Sequence, residues 1–380
     1  MVVEIYEQLI RATLFRANFD RKKINLIRSY ALPIKSFSQP ELFEQLQKVL
    51  KNFRQLGSYK IIVSLDSTLA TTMHAAVVLV RDQPKQVIDD SDLDNRIAQG
   101  IWRLFDRQRG QAATKMAIGD LDIMLTDIMV KQLRLDGSKV INPIGFNAKT
   151  VEIQFLQTFS PKDFAAGVKN IIPTEQMVLM AEHGVLQAEI LAKTSGANFL
   201  LVDIGLERAN VFISEGSMIA HANVFDWGRN NLLGALVNFL GVNQEIAEKI
   251  MGLYLNKRAS PAVLKKIERI LAEESKVLFV KLNQLLSKHD LGSIYMMCRW
   301  DLPDFIFGSE ARRQLNQHTK IFPVDHPFIM EQLGFEIKNS ADESFNIYYP
   351  ISALLGFYFA PQDDKINKIA KRHASWLIGV

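Results

Sequence analysis

Phe199-Leu200-Leu201-Val202-Asp203-Ile204-Gly205-Leu206-Glu207-Arg208-Ala209-Asn210-Val211-Phe212-Ile213-Ser214 decides the fold. Its first six residues are almost all apolar and β-prone, as in a parallel strand buried on both faces. Gly205 interrupts the run, and residues 209–214 resume it as a second strand. The chain opens in the same order: apolar strand, acid, Ile, turn, strand. Val3-Glu4-Ile5-Tyr6 matches Val202-Asp203-Ile204-Gly205, which marks an internal duplication.

Around the first copy, Val2–Ile5 and residues 9–15 read as strands about a turn at Tyr6, Glu7 and Gln8. A third strand at 24–30 ends before Pro33. Leu42, Phe43, Leu46, Val49, Leu50 and Phe53 recur at helical spacing after Pro40, and 59–65 is a buried strand. Strands, then a helix, then a strand indicate α/β layering. Next come a strand at 71–80, a helix at 89–107 and a strand at 120–135 that stops at the Asp136-Gly137 turn. A strand at 150–159 and a helix opened by Pro161 follow. Beyond the second copy, helices at 230–240 and 243–255 are separated by Gly241. A long amphipathic helix spans 261–287, a strand spans 293–298, and a short helix ends at 312–317. The run 351–358 reads as a closing strand.

Composition narrows the classes. A chain of 380 residues holds two or three domains at about 100–200 residues each. With 48% hydrophobic and 23% charged residues it is a packed globular protein, not a disordered chain, a collagen or a coiled-coil rod. A net charge of +4 over this length gives no reason to expect nucleic acid as a partner. The single cysteine, Cys298, excludes an intrachain disulfide framework and a cysteine-rich zinc site, and points to a reducing compartment. No segment approaches the roughly 20 apolar residues of a membrane span, and the N-terminus lacks a signal-peptide pattern, so a cytosolic chain is expected. The histidines are scattered without metal-ligand spacing. Asp89, Asp90, Asp92 and Asp94 read as an acidic helix N-terminus; the glycine and distal glutamate of an EF-hand are missing. Cys298 reads as core, and His183 as a packed or capping residue.

The duplicated strand–acid–Ile–Gly–strand pattern resembles the actin/Hsp70/sugar-kinase fold. Three stretches resemble the FtsA family of bacterial cell-division proteins within it. Leu135-Asp136-Gly137 followed by Ile141-Asn142-Pro143-Ile144-Gly145 is similar to that family's "DG…DPIG" loop. FDWGRNNLLGALVNFLGVNQEIAEKI, residues 225–250, is similar to the segment after its second phosphate loop. ISALLGFY, residues 351–358, is similar to its closing strand. The PilM scaffolds of pilus assembly are near neighbours that share the fold and an inserted subdomain. The resemblance implies a duplicated actin-like ATPase fold carrying an inserted subdomain of the SHS2 type. Its layout would be a first-half core at 1–66 and 161–198 with the insert at 67–160. The second-half core would be 199–225 and 291–361, an insertion 226–290, and a terminal helix 362–380.

In this fold two hairpin turns face each other across a cleft and offer backbone N–H groups to phosphates. Glycine there allows close approach and positive φ, and a carboxylate in each turn serves magnesium. Here the first turn is Glu4-Ile5-Tyr6-Glu7, with Tyr6 for glycine and an acid where phosphate would lie. The second, Asp203-Ile204-Gly205-Leu206-Glu207-Arg208, keeps one glycine and has lost both threonines. Aligned on Pro303, the glycines of the third loop become Met297, Cys298, Arg299 and Asp304. On the helix that would face adenosine, Glu248 is present but the lysine position is Met251. The resemblance thus implies a degenerate nucleotide site around Glu4, Asp203, Gly205, Arg208, Gly228 and Glu248, without a cofactor. The opposing reading is weak binding of ATP with magnesium, in which Arg208 replaces lost donors and Glu4 serves the metal.

Two function classes follow. One is a non-catalytic scaffold of the FtsA type, which self-associates and tethers a tubulin-like division filament at the inner face of the cell membrane. The other is a divergent ATPase or a sugar-kinase relative. For the scaffold, the insert would be an interaction module. The basic face of the 261–287 helix, with Lys265, Lys266 and Arg269, would take the acidic C-terminal tail of the tubulin-like partner. Near the C-terminus, Ile366, Ile369, Trp376 and Leu377 gather on one helical face, and Lys365, Lys368, Lys371 and Arg372 on the other. A basic amphipathic helix with tryptophan suits an anionic membrane surface; the alternative is a helix docked on the core.

Overall fold

The computed structural model describes residues 1–35, 38–53, 58–173, 175–196, 198–216, 218–289, 291–298, 303–308, 313–315, 319–324, 331–339, 348–359, 365–375 and 377. The chain divides into two compact units. The first holds Met1–Ile190 and takes up Glu336–Phe345 and Pro350–Val380; the second is centred on Leu191–Phe335.

In the first unit, β1 (Val2–Ile5) pairs antiparallel with β2 (Leu9–Asn18), which pairs with β3 (Lys23–Pro33). On its other side β1 runs parallel to β4 (Ile61–Leu65), and β4 to β9 (Met177–Glu182). A short strand, β15 (Glu336–Asn339), extends the outer edge beside β3. Helices α1 (Gln39–Lys51) and α3 (Lys162–Ile171) cover one face. Leu42, Leu46, Val49, Phe164 and Val168 meet Val3, Ile5, Ile61 and Val63 there in one core.

The second unit repeats that wiring. Strand β10 (Phe199–Ile204) pairs antiparallel with β11 (Ala209–Glu215), and β11 with β12 (Met218–Phe225). β10 also runs parallel to β13 (Ser293–Cys298), and β13 to β14 (Lys320–Pro323). The order β12-β11-β10-β13-β14 is the same as β3-β2-β1-β4-β9. Helices α5 (Arg229–Leu240), α6 (Gln244–Leu255) and α7 (Pro261–Leu286) share one core with this sheet, joining Leu236, Met251 and Leu278 to Leu200 and Val202.

Between β4 and β9 a separate antiparallel sheet is inserted, in the order β5-β8-β6-β7, from β5 (Thr71–Val80), β6 (Ile123–Leu135), β7 (Ser138–Val140) and β8 (Thr150–Pro161). Helix α2 (Asp90–Met116) packs on it. Asp89 caps α2 by accepting from the Asp92 amide at 2.8 Å, and the helix runs well past the expected end at 107.

Two expectations near the C-terminus are corrected. The run 351–358 is not a strand but lies within α8 (Tyr348–Phe359). Residues 351–356 are all buried, so no amphipathic period betrays the helix, and a short apolar run reads equally well as a strand. Gly356 lets α8 approach α4 (His183–Thr194) closely: a Cβ there would meet Leu186 Cβ at 2.9 Å. The second correction concerns α9 (Lys365–Ala374). Its apolar face does not lie free for a membrane. Ile366, Ile369, Ala370 and Ala374 are buried in the core of the inserted sheet with Phe105 and Leu133, and Leu377 packs against that core. The basic residues are engaged as well. Lys365 pairs with Asp90, Arg372 and His373 with Asp94, and Lys371 with Asp127 at 3.2 Å. Lys368 is exposed, and Trp376 lies outside the described residues. The acidic N-terminus of α2 is thus the counter-surface for the basic side of α9.

Candidate functional site

Each hairpin turn is built by its own unit. In the first, the Tyr6 amide bonds the Leu9 carbonyl at 3.1 Å and closes a four-residue turn. That closure sets Glu4 opposite Arg11 across the β1–β2 ladder. Their side chains meet as a buried ion pair, Arg11 Nε to Glu4 Oε2 at 2.5 Å, with exposures of 6% and 0%. The Tyr6 hydroxyl donates to Glu4 Oε1 at 2.9 Å. Each carboxylate oxygen therefore has a partner within the protein.

Tyr6 itself is fully buried. Its hydroxyl lies 2.7 Å from His183 Nδ1, which is also 2.9 Å from Ser64 Oγ. Gln187 Nε2 stands 3.2 Å from His183 Nε2 and donates to Ser352 Oγ. One arrangement of protons satisfies this chain: Tyr6 donates to Glu4, His183 Nδ1–H donates to Tyr6, and Gln187 donates to His183 Nε2. Where the resemblance to the actin-like fold implies a glycine, a phenol is tied into a buried polar network.

The second turn repeats the closure, with the Gly205 amide bonding the Arg208 carbonyl at 2.8 Å. Gly205 is thus the structural counterpart of Tyr6. Asp203 is buried opposite Asn210, as Glu4 is opposite Arg11. A helix N-terminus is ordinarily an anion site, because its first amides lack partners. At α5 those amides are used by the loop. Arg229 N bonds Gly205 O at 3.2 Å, Asn230 N bonds Leu206 O at 2.8 Å, and Asn231 N bonds Gly228 O at 3.1 Å. Gly228 N donates to Asn231 Oδ1 at 2.9 Å. Gly228 is needed for this approach, since a Cβ would collide with the Leu206 carbonyl and stand 2.7 Å from Gly205 O. Carbonyl oxygens therefore cover the end of α5.

The remaining predicted residues are dispersed. Arg208, in the turn, is half exposed and lies 3.9 Å from Asp226. Glu248 faces Arg229 at 3.8 Å. Met297 is buried in β13, and Cys298 Sγ donates to Ile204 O at 3.2 Å. Asp304 pairs with Lys257 at 3.3 Å, and Arg299 lies outside the described residues. Lys265, Lys266 and Arg269 are exposed on α7, but the adjacent hollow of about 410 Å³ is lined by Tyr254, Leu264, Phe305, Glu268, Asp304 and Lys257. Its charges are two acids and one base.

No family model matches the chain, and no curated protein matches it in sequence. Among solved structures, the PilM–PilN type IV pilus biogenesis complex contains a chain similar at a TM-score of 0.57 and 13% identity, over 98% of this chain and 97% of that one. The fold is that of the actin-like ATPases. A glucokinase of the ROK family from Streptomyces griseus is more distant, with a TM-score of 0.45, 9% identity, and coverage of 84% of this chain and 92% of that one.

Sequence reasoning missed Arg11, Ser64 and Gln187. Arg11 was available: a turn closing Tyr6 on Leu9 pairs residue 4 with residue 11. Ser64 and Gln187 come from β4 and α4, far away in sequence, and carried no signal. A second buried cluster was also missed. Glu182 accepts from the Thr72 amide at 2.7 Å, and burial pushes its carboxyl up to about 7. Lys131 pairs with Glu189, and burial together with the Lys131 charge holds His74 down at about 4. Among the described residues, no three His, Cys, Asp or Glu side chains converge as metal ligands, and no helix is long and apolar enough to cross a membrane.

Proposed function

We propose that this chain is a non-catalytic assembly scaffold of the actin-like fold, acting through protein partners in the manner of a PilM–PilN pair and without a nucleotide cofactor. The observation that carries the reading is the filled first turn. Phosphoryl transfer depends on positioned donors and metal around the phosphates. Here Tyr6 replaces the glycine, and Arg11 and Tyr6 consume the carboxylate of Glu4. The covered end of α5 supports the same conclusion from the second turn. The full-length likeness to the PilM chain makes a pilus-type partner the better first choice than the tubulin-like division protein. In this reading the inserted sheet acts as an SHS2-type interaction module. Peripheral membrane association comes through the partner, because α9 has its apolar face in the protein core.

Co-expression with a PilN-type protein tests the partner. A stable complex on size-exclusion chromatography is expected. Failure to form it, together with binding of a tubulin-like C-terminal tail that Lys265→Glu and Lys266→Glu abolish, would move the protein to the division class.

A further inference from the structure

Strand β5 lies at the edge of the inserted sheet and is ten residues long. Its ladder with β8 runs without a bulge from Thr71 opposite Phe159 to Val80 opposite Thr150. In an antiparallel strand, alternate residues turn both backbone groups toward one neighbour and the others turn theirs away. The Thr72 amide bonds Glu182 Oε2, and Arg96 Nη1 donates to the Val80 carbonyl at 3.3 Å. The even-numbered residues therefore face outward. Between the two anchored ends lie His74, Ala76 and Val78; the last two are exposed, with Val78 at 55% and Val80 at 62%. Among the described residues, no strand or side chain takes the outward N–H and C=O groups of Ala76 and Val78.

Soluble proteins ordinarily protect such an edge with lysine, proline, a bulge or a covering loop. Residues 75–80, Ala-Ala-Val-Val-Leu-Val, carry none of these. We propose that this edge is a dimerisation site, at which β5 of a second copy adds antiparallel and joins the two inserted sheets into one. The sequence favours its own copy. About a local two-fold axis, Val78 meets Val78 or Ala76, and neither register sets a charge against its like. A closed two-fold dimer is also the commonest assembly of identical chains. The nearby cation, Arg96, shares the carboxylate of Asp92 with the buried Arg81, at 3.0 and 2.8 Å, beyond the Ala76–Val78 stretch. Glu152 stands opposite Val78 one strand inward. Its two copies would lie three strand spacings apart, about 14 Å, beyond the screening length of about 8 Å at physiological salt.

Sedimentation velocity of the full chain from about 1 to 100 μM, with hydrogen exchange followed at the Ala76 and Val78 amides, tests the proposal. A dimer is expected in which exchange at both amides slows as concentration rises. Val78→Lys, at an exposed site, should weaken the dimer by about tenfold or more by setting like charges opposite or diagonally across the new pair in either register, while the circular dichroism spectrum stays unchanged. Three results would each overturn it: a monomer throughout, a dimer whose Ala76 and Val78 amides exchange as in the monomer, or a Val78→Lys chain that dimerises normally. A monomer that captures a foreign strand at this edge would also overturn the second-copy assignment.

Discussion

Arg11 is held beside Glu4 by hairpin register, and both are out of water. Breaking one side of a buried ion pair leaves an uncompensated charge, so Arg11→Ala should lower stability by about 3–5 kcal/mol in urea denaturation. Tyr6→Phe removes one hydroxyl from the network and should lose only about 1–2 kcal/mol. Glu182 gives a pH prediction. Its folded pKa is raised to about 7 from an unfolded value of 4.5, so the native state binds the extra proton between those values. Stability from this group is present below pH 4.5 and lost as pH rises through 7. Glu182→Gln should therefore raise the melting temperature at pH 8, leave it nearly unchanged at pH 4, and flatten the profile between. At this scale the replacement of glycine by Tyr6 was legible in the sequence. Its destination, His183, was not, because the two residues come together only through the packing of α4 against the first sheet.

The helix α9 shows what an amphipathic pattern does and does not specify. Periodicity identifies the helix and its apolar face, but lipid and a protein core satisfy that face equally. Asn367 carries the distinction. It is 1% exposed, and its Oδ1 accepts the Val130 amide at 2.6 Å, beside the bulge at Val130–Gln132 in β6. A lipid surface offers no such donor. Asn367→Ala would leave that amide unpaired and should cost about 1–3 kcal/mol, read as a lower melting temperature. Ile369→Ala should likewise destabilise the fold by about 2–4 kcal/mol rather than change binding to anionic liposomes. For α8, uniform burial erased the period that would have separated helix from strand.

Over the whole molecule, the duplication was readable because both copies keep the order of strand, acid, Ile and turn, although Glu4 and Asp203 have different partners. Strand order confirms it sheet by sheet. The PilM chain matches over nearly the full length at 13% identity. A fold retained without its sequence leaves function to the turns, and both turns are occupied by the protein's own groups. Thermal unfolding with and without Mg-ATP tests this most directly. A site with a Kd near ~50 μM would gain about 2.7 kcal/mol at ~5 mM nucleotide, a shift of several degrees. The filled turns predict no shift for the wild-type chain; a reproducible, saturable rise in melting temperature with Mg-ATP would contradict them.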